Sequence, residues 1–242
     1  MKTKWLFFLP LALAVASCSV YHPQSVDIPL LREKGEVKVD ASLSTACNVV
    51  PFPSSVGVSS TVSYAANDWL AVQGFADYDF DKGGYLQGAV GAYRPFENSV
   101  LEGFLGYGYG MADFEQHSNN KMRIVHGNYQ QVFGQLNFGF TDLTRANIDV
   151  GLGVKVGDFI PSVNRTEYRY ESDDFDYQHQ GEVVGQKQFK DPFLFCEPQL
   201  FIRMGSEKVK FSIKMSAGIS NMENQVDIMD MFNIGAGVTF KL

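Results

Sequence analysis

From Glu36 to the C-terminus, apolar and polar residues alternate with a period of two, the spacing of a strand with one face in apolar surroundings. Val37, Val39, Ala41 and Leu43 alternate with Lys38, Asp40, Ser42 and Ser44. The pattern returns in Val56–Tyr64, Leu70–Phe80, Leu86–Ala92, Leu101–Tyr109, Val132–Phe140, Ile148–Val156, Leu194–Ile202, Val209–Ile219 and Ile234–Leu242. It predicts about ten strands, each long for a globular protein, where about five or six residues are usual. Membrane-crossing strands need about 9–11 residues and carry this alternation.

The connections point the same way. After every second strand comes a short turn sequence: Ala66-Asn67-Asp68, Pro95-Phe96-Glu97-Asn98, Asp142–Ala146 and Gly205-Ser206. The other links include the long ones, Ala112–Asn128, Ile160–Lys190 and Asn221–Met231. Tight turns at one end and long links at the other are the plan of an outer-membrane barrel, with the tight turns periplasmic. The fold class expected is therefore all-β: an antiparallel up-and-down transmembrane β-barrel of about ten strands, with both termini periplasmic. Aromatic girdles are expected at Tyr64, Trp69, Tyr93, Phe96, Phe138 and Phe140 near the short turns, and at Tyr78, Phe80, Tyr107, Tyr109, Tyr129 and Phe159 near the other rim. Pro198 interrupts the eighth strand and predicts a bulge there.

What precedes Glu36 sets the address. Lys2 and Lys4 open a positive segment, and Trp5–Ala14 form an apolar run too short to span a bilayer as a helix. Val15-Ala16-Ser17-Cys18 resembles the lipobox of bacterial lipoproteins. That resemblance implies cleavage before Cys18, acylation of Cys18 and a lasting lipid anchor, since several acyl chains hold where one does not. The expected organisation is a signal peptide over 1–17, a lipidated periplasmic linker over 18–35 and a barrel domain over 36–242. Together with Pro29–Glu36 and the strands that follow, the lipobox makes the chain resemble small outer-membrane barrel lipoproteins of the Bacteroidetes type. That group transfers no catalytic residues. Ser19-Val20-Tyr21-His22-Pro23 after the cysteine is free of acids, which favours a lipid on the periplasmic leaflet.

Charge narrows the partners. Without residues 1–17 the chain holds 18 basic and 27 acidic residues, a net charge of −9. An acidic exported chain is a poor match for nucleic acid. The expected partners are outer-membrane lipid and a surface glycan or partner protein gripped by the 160–190 link, where Tyr168, Tyr170, Phe175 and Tyr177 lie among acids. Cys47 and Cys196 are expected to stay unpaired. They fall three strand spacings apart around the wall, roughly 14 Å at about 4.8 Å per strand, beyond the reach of a disulfide.

If the apolar set faces lipid, seven acids (Glu36, Asp40, Asp77, Asp79, Glu102, Asp149, Glu197) and seven bases (Lys38, Lys155, Arg203, Lys208, Lys210, Lys214, Lys241) face the lumen. A balanced set reads as a paired, structural network in a largely filled barrel; a selective pore would show one sign at a constriction. Gly106, Gly108, Gly151 and Gly153 face inward beside Tyr85, Phe104, Phe133 and Phe201. The candidate residues for chemistry are few. Asp77, Asp79 and Asp81 form a row at the outer mouth, yet Lys82 and Gly88 break the calcium-loop pattern, so no metal or other cofactor is expected. Asp176 and His179 in the long link are weak candidates, similar in type to the mouth of omptin proteases but without their Asp-x-His motif.

The expected function is a structural or binding barrel, not an enzyme. One alternative is an outer-leaflet hydrolase, omptin-like or lipid-modifying. The other is a tethered periplasmic lipocalin-like barrel with the apolar set turned inward around a hydrophobic ligand.

Overall fold

The computed structural model describes residues 20–23, 28–47, 55–118, 121–144, 147–169, 181–222 and 228–242. Its strands are β1 (Val37–Cys47), β2 (Ser55–Ala65), β3 (Leu70–Asp79), β4 (Gly83–Pro95), β5 (Ser99–Ser118), β6 (Lys121–Phe140), β7 (Asp149–Arg169), β8 (Glu182–Phe189), β9 (Phe193–Gly205), β10 (Val209–Ala217), β11 (Ile219–Ser220) and β12 (Phe232–Lys241). Each strand from β1 to β7 pairs antiparallel with the next; β12 pairs with both β1 and β10, and β9 with β10. Pairing of β7 with β9, from Asp149↔Arg203 to Phe159↔Phe193, closes the ring. The wall thus has ten strands, and β8 and β11 are additions to its long-link end.

Period two decides what each side of the wall meets. Along β2 every second residue is buried and every other one exposed. The exposed set is aliphatic: Leu105 is 71% exposed and Leu136 60%, with Val72 and Leu152 facing the same way. The buried set is polar: Asp40, Gln73, Glu102, Gln135, Lys155 and Glu197. A wall that is apolar outside and polar inside suits lipid without and a hydrogen-bonded interior within. A lipocalin-like barrel needs the opposite phase, so that alternative falls.

The outer ring of Tyr64, Trp69, Phe96 and Phe140 marks the short-turn rim, and Tyr78, Phe80, Tyr107 and Tyr109 mark the other. Three residues expected in these girdles lie inside instead. Tyr93 is buried and its hydroxyl donates to the Asn67 carbonyl at 2.7 Å. Tyr129 and Phe159 are buried in the lumen, stacked with centroids 5.0 Å apart. Their strand phase, not their ring type, sets their side.

Pro198 does not produce a bulge. Val154↔Pro198 sits in an unshifted ladder with β7. On the other side, β9 pairs with β10 up to Gln199↔Ser216 and resumes in the same register at Cys196↔Ile219. The imide lacks a donor, so the ladder is interrupted opposite Ala217 and Gly218 without a change of register. Cys196 is a free thiol; the side chain of Cys47 lies outside the described part of the chain.

Two of the long links continue as strands. β5 and β6 pair to Ser118↔Lys121, and β7 and β8 pair from Val163↔Phe189 to Arg169↔Glu182. Since β4 stops pairing at Tyr85↔Gly110, the tops of β5 to β8 form an open four-stranded sheet above one side of the barrel. The hairpin expected over 160–190 is present in its described part, with a register shift at Glu167/Tyr168.

Candidate functional site

Ten strands enclose more room than their own side chains fill, whereas about eight leave an interior just wide enough for side chains. Here part of that room is taken by the chain itself. Residues 18–35 were expected as a periplasmic linker; of the described ones, 20–23 and 28–31 are buried inside the wall, Arg32 is half-buried at its end and 33–35 are exposed. The physical reason is composition: Val20, Tyr21, Ile28, Leu30 and Leu31 gain by leaving water, and all are buried.

The segment begins at the long-link end. Tyr21 packs on Tyr85, Tyr129 and Phe159, with centroids 5.4–6.0 Å apart. Its backbone exchanges hydrogen bonds with the last long link, Tyr21 N to Ile228 O and Asp230 N to Tyr21 O, both 2.8 Å. His22, 5% exposed, lies between two carboxylates, Nε2 3.2 Å from Asp77 and Nδ1 3.4 Å from Asp79. Lys82 pairs with Asp230 beside it, both buried. The Pro23 carbonyl accepts from Asn233 Nδ2 at 2.7 Å.

Further along, the segment reaches the other end. A Cβ on Gly153 would lie 2.9 Å from Ile28 Cδ1, and one on Gly139 2.7 Å from Leu30 Cδ1. Those two inward glycines are the seats of the two side chains. Leu30 has φ of +53°, a strained conformation for a bulky residue. It is held because Lys38 Nζ donates to the Pro29 and Leu30 carbonyls at 2.8 and 2.9 Å. Leu31 N donates to Glu102 Oε1 at 2.8 Å. The Arg32 guanidinium donates to Thr141 Oγ1 and to the Glu97 carbonyl at 2.7 Å, at the short turns.

Between the ends lies a polar layer. Lys155 is fully buried; Nζ donates to Gln87 Oε1 at 2.9 Å, stands 3.8 Å from Glu197 and lies 4.5 Å from the Phe133 ring centroid. Lys214 pairs with Asp40, which also accepts from Ser42 and Thr239. Below, at the short-turn mouth, an open cavity of about 490 Å³ has both signs of charge on its walls, including Arg203, Lys210 and Lys241 against Glu36, Asp142 and Asp149. Of the seven bases expected inside, Lys208 alone is exposed, at the turn after β9.

The acidic row divides. Asp77 and Asp79 meet His22 in the lumen, while Asp81 is exposed in the β3–β4 turn, its N–H donating to Asp79 Oδ1. Since the two imidazole nitrogens face different carboxylates, the three groups share no point for a metal ion. Among the described residues no group of three or more such side chains could hold one. Cys18, Asp176 and His179 lie outside the described residues. Tyr21, His22, Lys82, Asp230 and Arg32 were missed by reasoning from sequence. One signal for the segment was legible: Ile28-Pro29-Leu30-Leu31 is an apolar run with no reason to lie in an exposed linker.

No family model and no curated protein matches the chain. Solved barrels do, at low likeness. The N-terminal β-barrel domain of Pseudomonas aeruginosa OprF is 10% identical over 87% of this chain and 100% of that one, with a TM-score of 0.37. A deltaS2 mutant of the monoaromatic hydrocarbon channel TodX is 6% identical over 88% and 91%, at 0.35. OmpT, an outer membrane protein of Vibrio cholerae, is 9% identical over 86% and 96%, at 0.19. At such scores none of them bears on function. The wall itself defines the class: a closed, ten-stranded transmembrane β-barrel. Within that class, this chain's lumen is occupied by its own N-terminal segment.

Proposed function

We propose that this protein is a lipid-anchored outer-membrane barrel with a structural or binding role and no open channel. The observation that carries the reading is the burial of Tyr21, His22, Ile28, Leu30 and Leu31 inside the wall. A diffusive pore needs a continuous water-filled path. Here a segment of chain and paired charges take that space. The apolar outer face supports the membrane address, and Val15–Cys18 supports the anchor.

Reconstitution in planar bilayers tests this. The intact barrel should show no steady conductance. A variant lacking residues 20–32 should show discrete open events, because it restores an unfilled ten-stranded lumen. Steady ohmic conductance of the intact protein would overturn the reading.

The binding role belongs to the sheet above the barrel. Lys121 and Arg123 face Glu167 at 3.0 and 3.8 Å, and a shallow cleft there has Asn164, Arg165, Thr166, Gln186 and Lys187 on its walls. Amides, a hydroxyl and cations at an open sheet edge suit a surface glycan or the backbone of a partner protein. The hydrolase alternative has less support: the Asp77, His22 and Asp79 side chains are all buried, and the Tyr21 ring stacks on His22.

A further inference from the structure

The two ends of the lumenal segment lie at opposite ends of the barrel. His22 meets Asp77 and Asp79, where β3 ends at the long-link mouth. Arg32 meets Thr141 and the Glu97 carbonyl, at the short turns. From 22 to 32 an extended chain reaches about 33–36 Å, more than the apolar band of about 25 Å on an outer-membrane barrel. The C-terminus stands at the short-turn end, where Leu242 N donates to the Val37 carbonyl.

We infer that the chain crosses the membrane inside its own barrel, so that Cys18 emerges at the long-link mouth, on the face opposite Leu242. Only Ser19 separates Cys18 from Val20, and two residue steps reach at most about 7 Å. That keeps the cysteine at this mouth and away from the other. With the tight turns periplasmic, the acyl chains then enter the outer leaflet and the lipid is on the cell surface. This replaces the expectation of two periplasmic termini. The inference rests on the lipid-anchored outer-membrane reading for its lipid, but on the lumenal contacts alone for its direction.

Three features make the crossing a built one. The inward glycines Gly139 and Gly153 leave space for Leu30 and Ile28. The buried carboxylates of Asp77 and Asp79 take both nitrogens of His22. Backbone pairing of Tyr21 with Ile228 and Asp230 fixes the exit within the last long link.

The test places one epitope between Ser19 and Val20 and, in a second full-length variant, the same epitope after Leu242. Both variants are first checked for the heat-dependent gel shift of a folded barrel. Antibody added to intact cells should bind the first and miss the second; permeabilising the outer membrane should expose the second. An N-terminal epitope hidden until permeabilisation, or both epitopes on one face, would overturn the inference. Fatty-acid labelling of the unaltered chain and of Cys18→Ala separates the two readings. A surface epitope without Cys18-dependent label keeps the crossing and rejects the anchor. A hidden epitope with label does the reverse.

Discussion

Lys155 shows how single residues are held in this interior. Its ammonium is far from bulk water, a position that costs several kcal/mol unless paired. Glu197 at 3.8 Å, Gln87 at 2.9 Å and the face of Phe133 offset that cost. Replacing Lys155 by Met leaves the Glu197 charge without this partner and should destabilise the barrel by about 3–5 kcal/mol. The double change Lys155→Met with Glu197→Gln removes both charges and should recover most of the loss. Urea unfolding in detergent micelles, read by tryptophan fluorescence, checks both. A double variant no better than the single one would mean that the pair is not the source of the effect. Both residues were legible as inward from strand phase. Their partners were not, because Gln87 lies 68 residues from Lys155 and only closure of the wall brings them together.

At the level of elements, alternation fixes each strand's faces and the register fixes its neighbours. Shifting a strand by one residue would turn its charges to lipid, so the phase is strongly specified. Leu136→Arg places a charge on the lipid face of β6 and should cost about 2–4 kcal/mol at mid-depth, enough to block assembly as read by the gel shift. Assembly at the unaltered level would mean that β6 does not face lipid. The β7–β8 hairpin is held differently. Above Val163↔Phe189 its described residues contact the upper sheet, and none lies in the ring. Joining Val163 to Phe189 through Asn-Gly, a two-residue hairpin turn, should leave a folded barrel with an unchanged gel shift. Loss of folding would mean that the upper sheet supports the wall.

For the molecule as a whole, a ten-stranded wall is a partial solution. Closing pairs each wall strand on both sides, apart from the break at Pro198, and leaves no free edge in lipid, yet its interior exceeds what the inward side chains fill. The described N-terminal residues take part of that volume and their apolar side chains gain by burial; in the reading proposed above they also block the lumen. Absence of conductance and opposite faces for the two termini are therefore linked expectations. Both follow from one segment lying in one place.

The sequence by itself determined the class of strand, the number of wall strands, the face each presents and the short-turn end, because these depend on local periodicity and turn chemistry. It also carried the balance of lumenal charge, since phase alone sorts inward from outward. Only the tertiary structure decided where residues 20–23 and 28–32 lie, and that His22 joins Asp77 and Asp79. These depend on the volume left inside a closed wall. That volume follows from strand number and closure, and no stretch of residues encodes it locally.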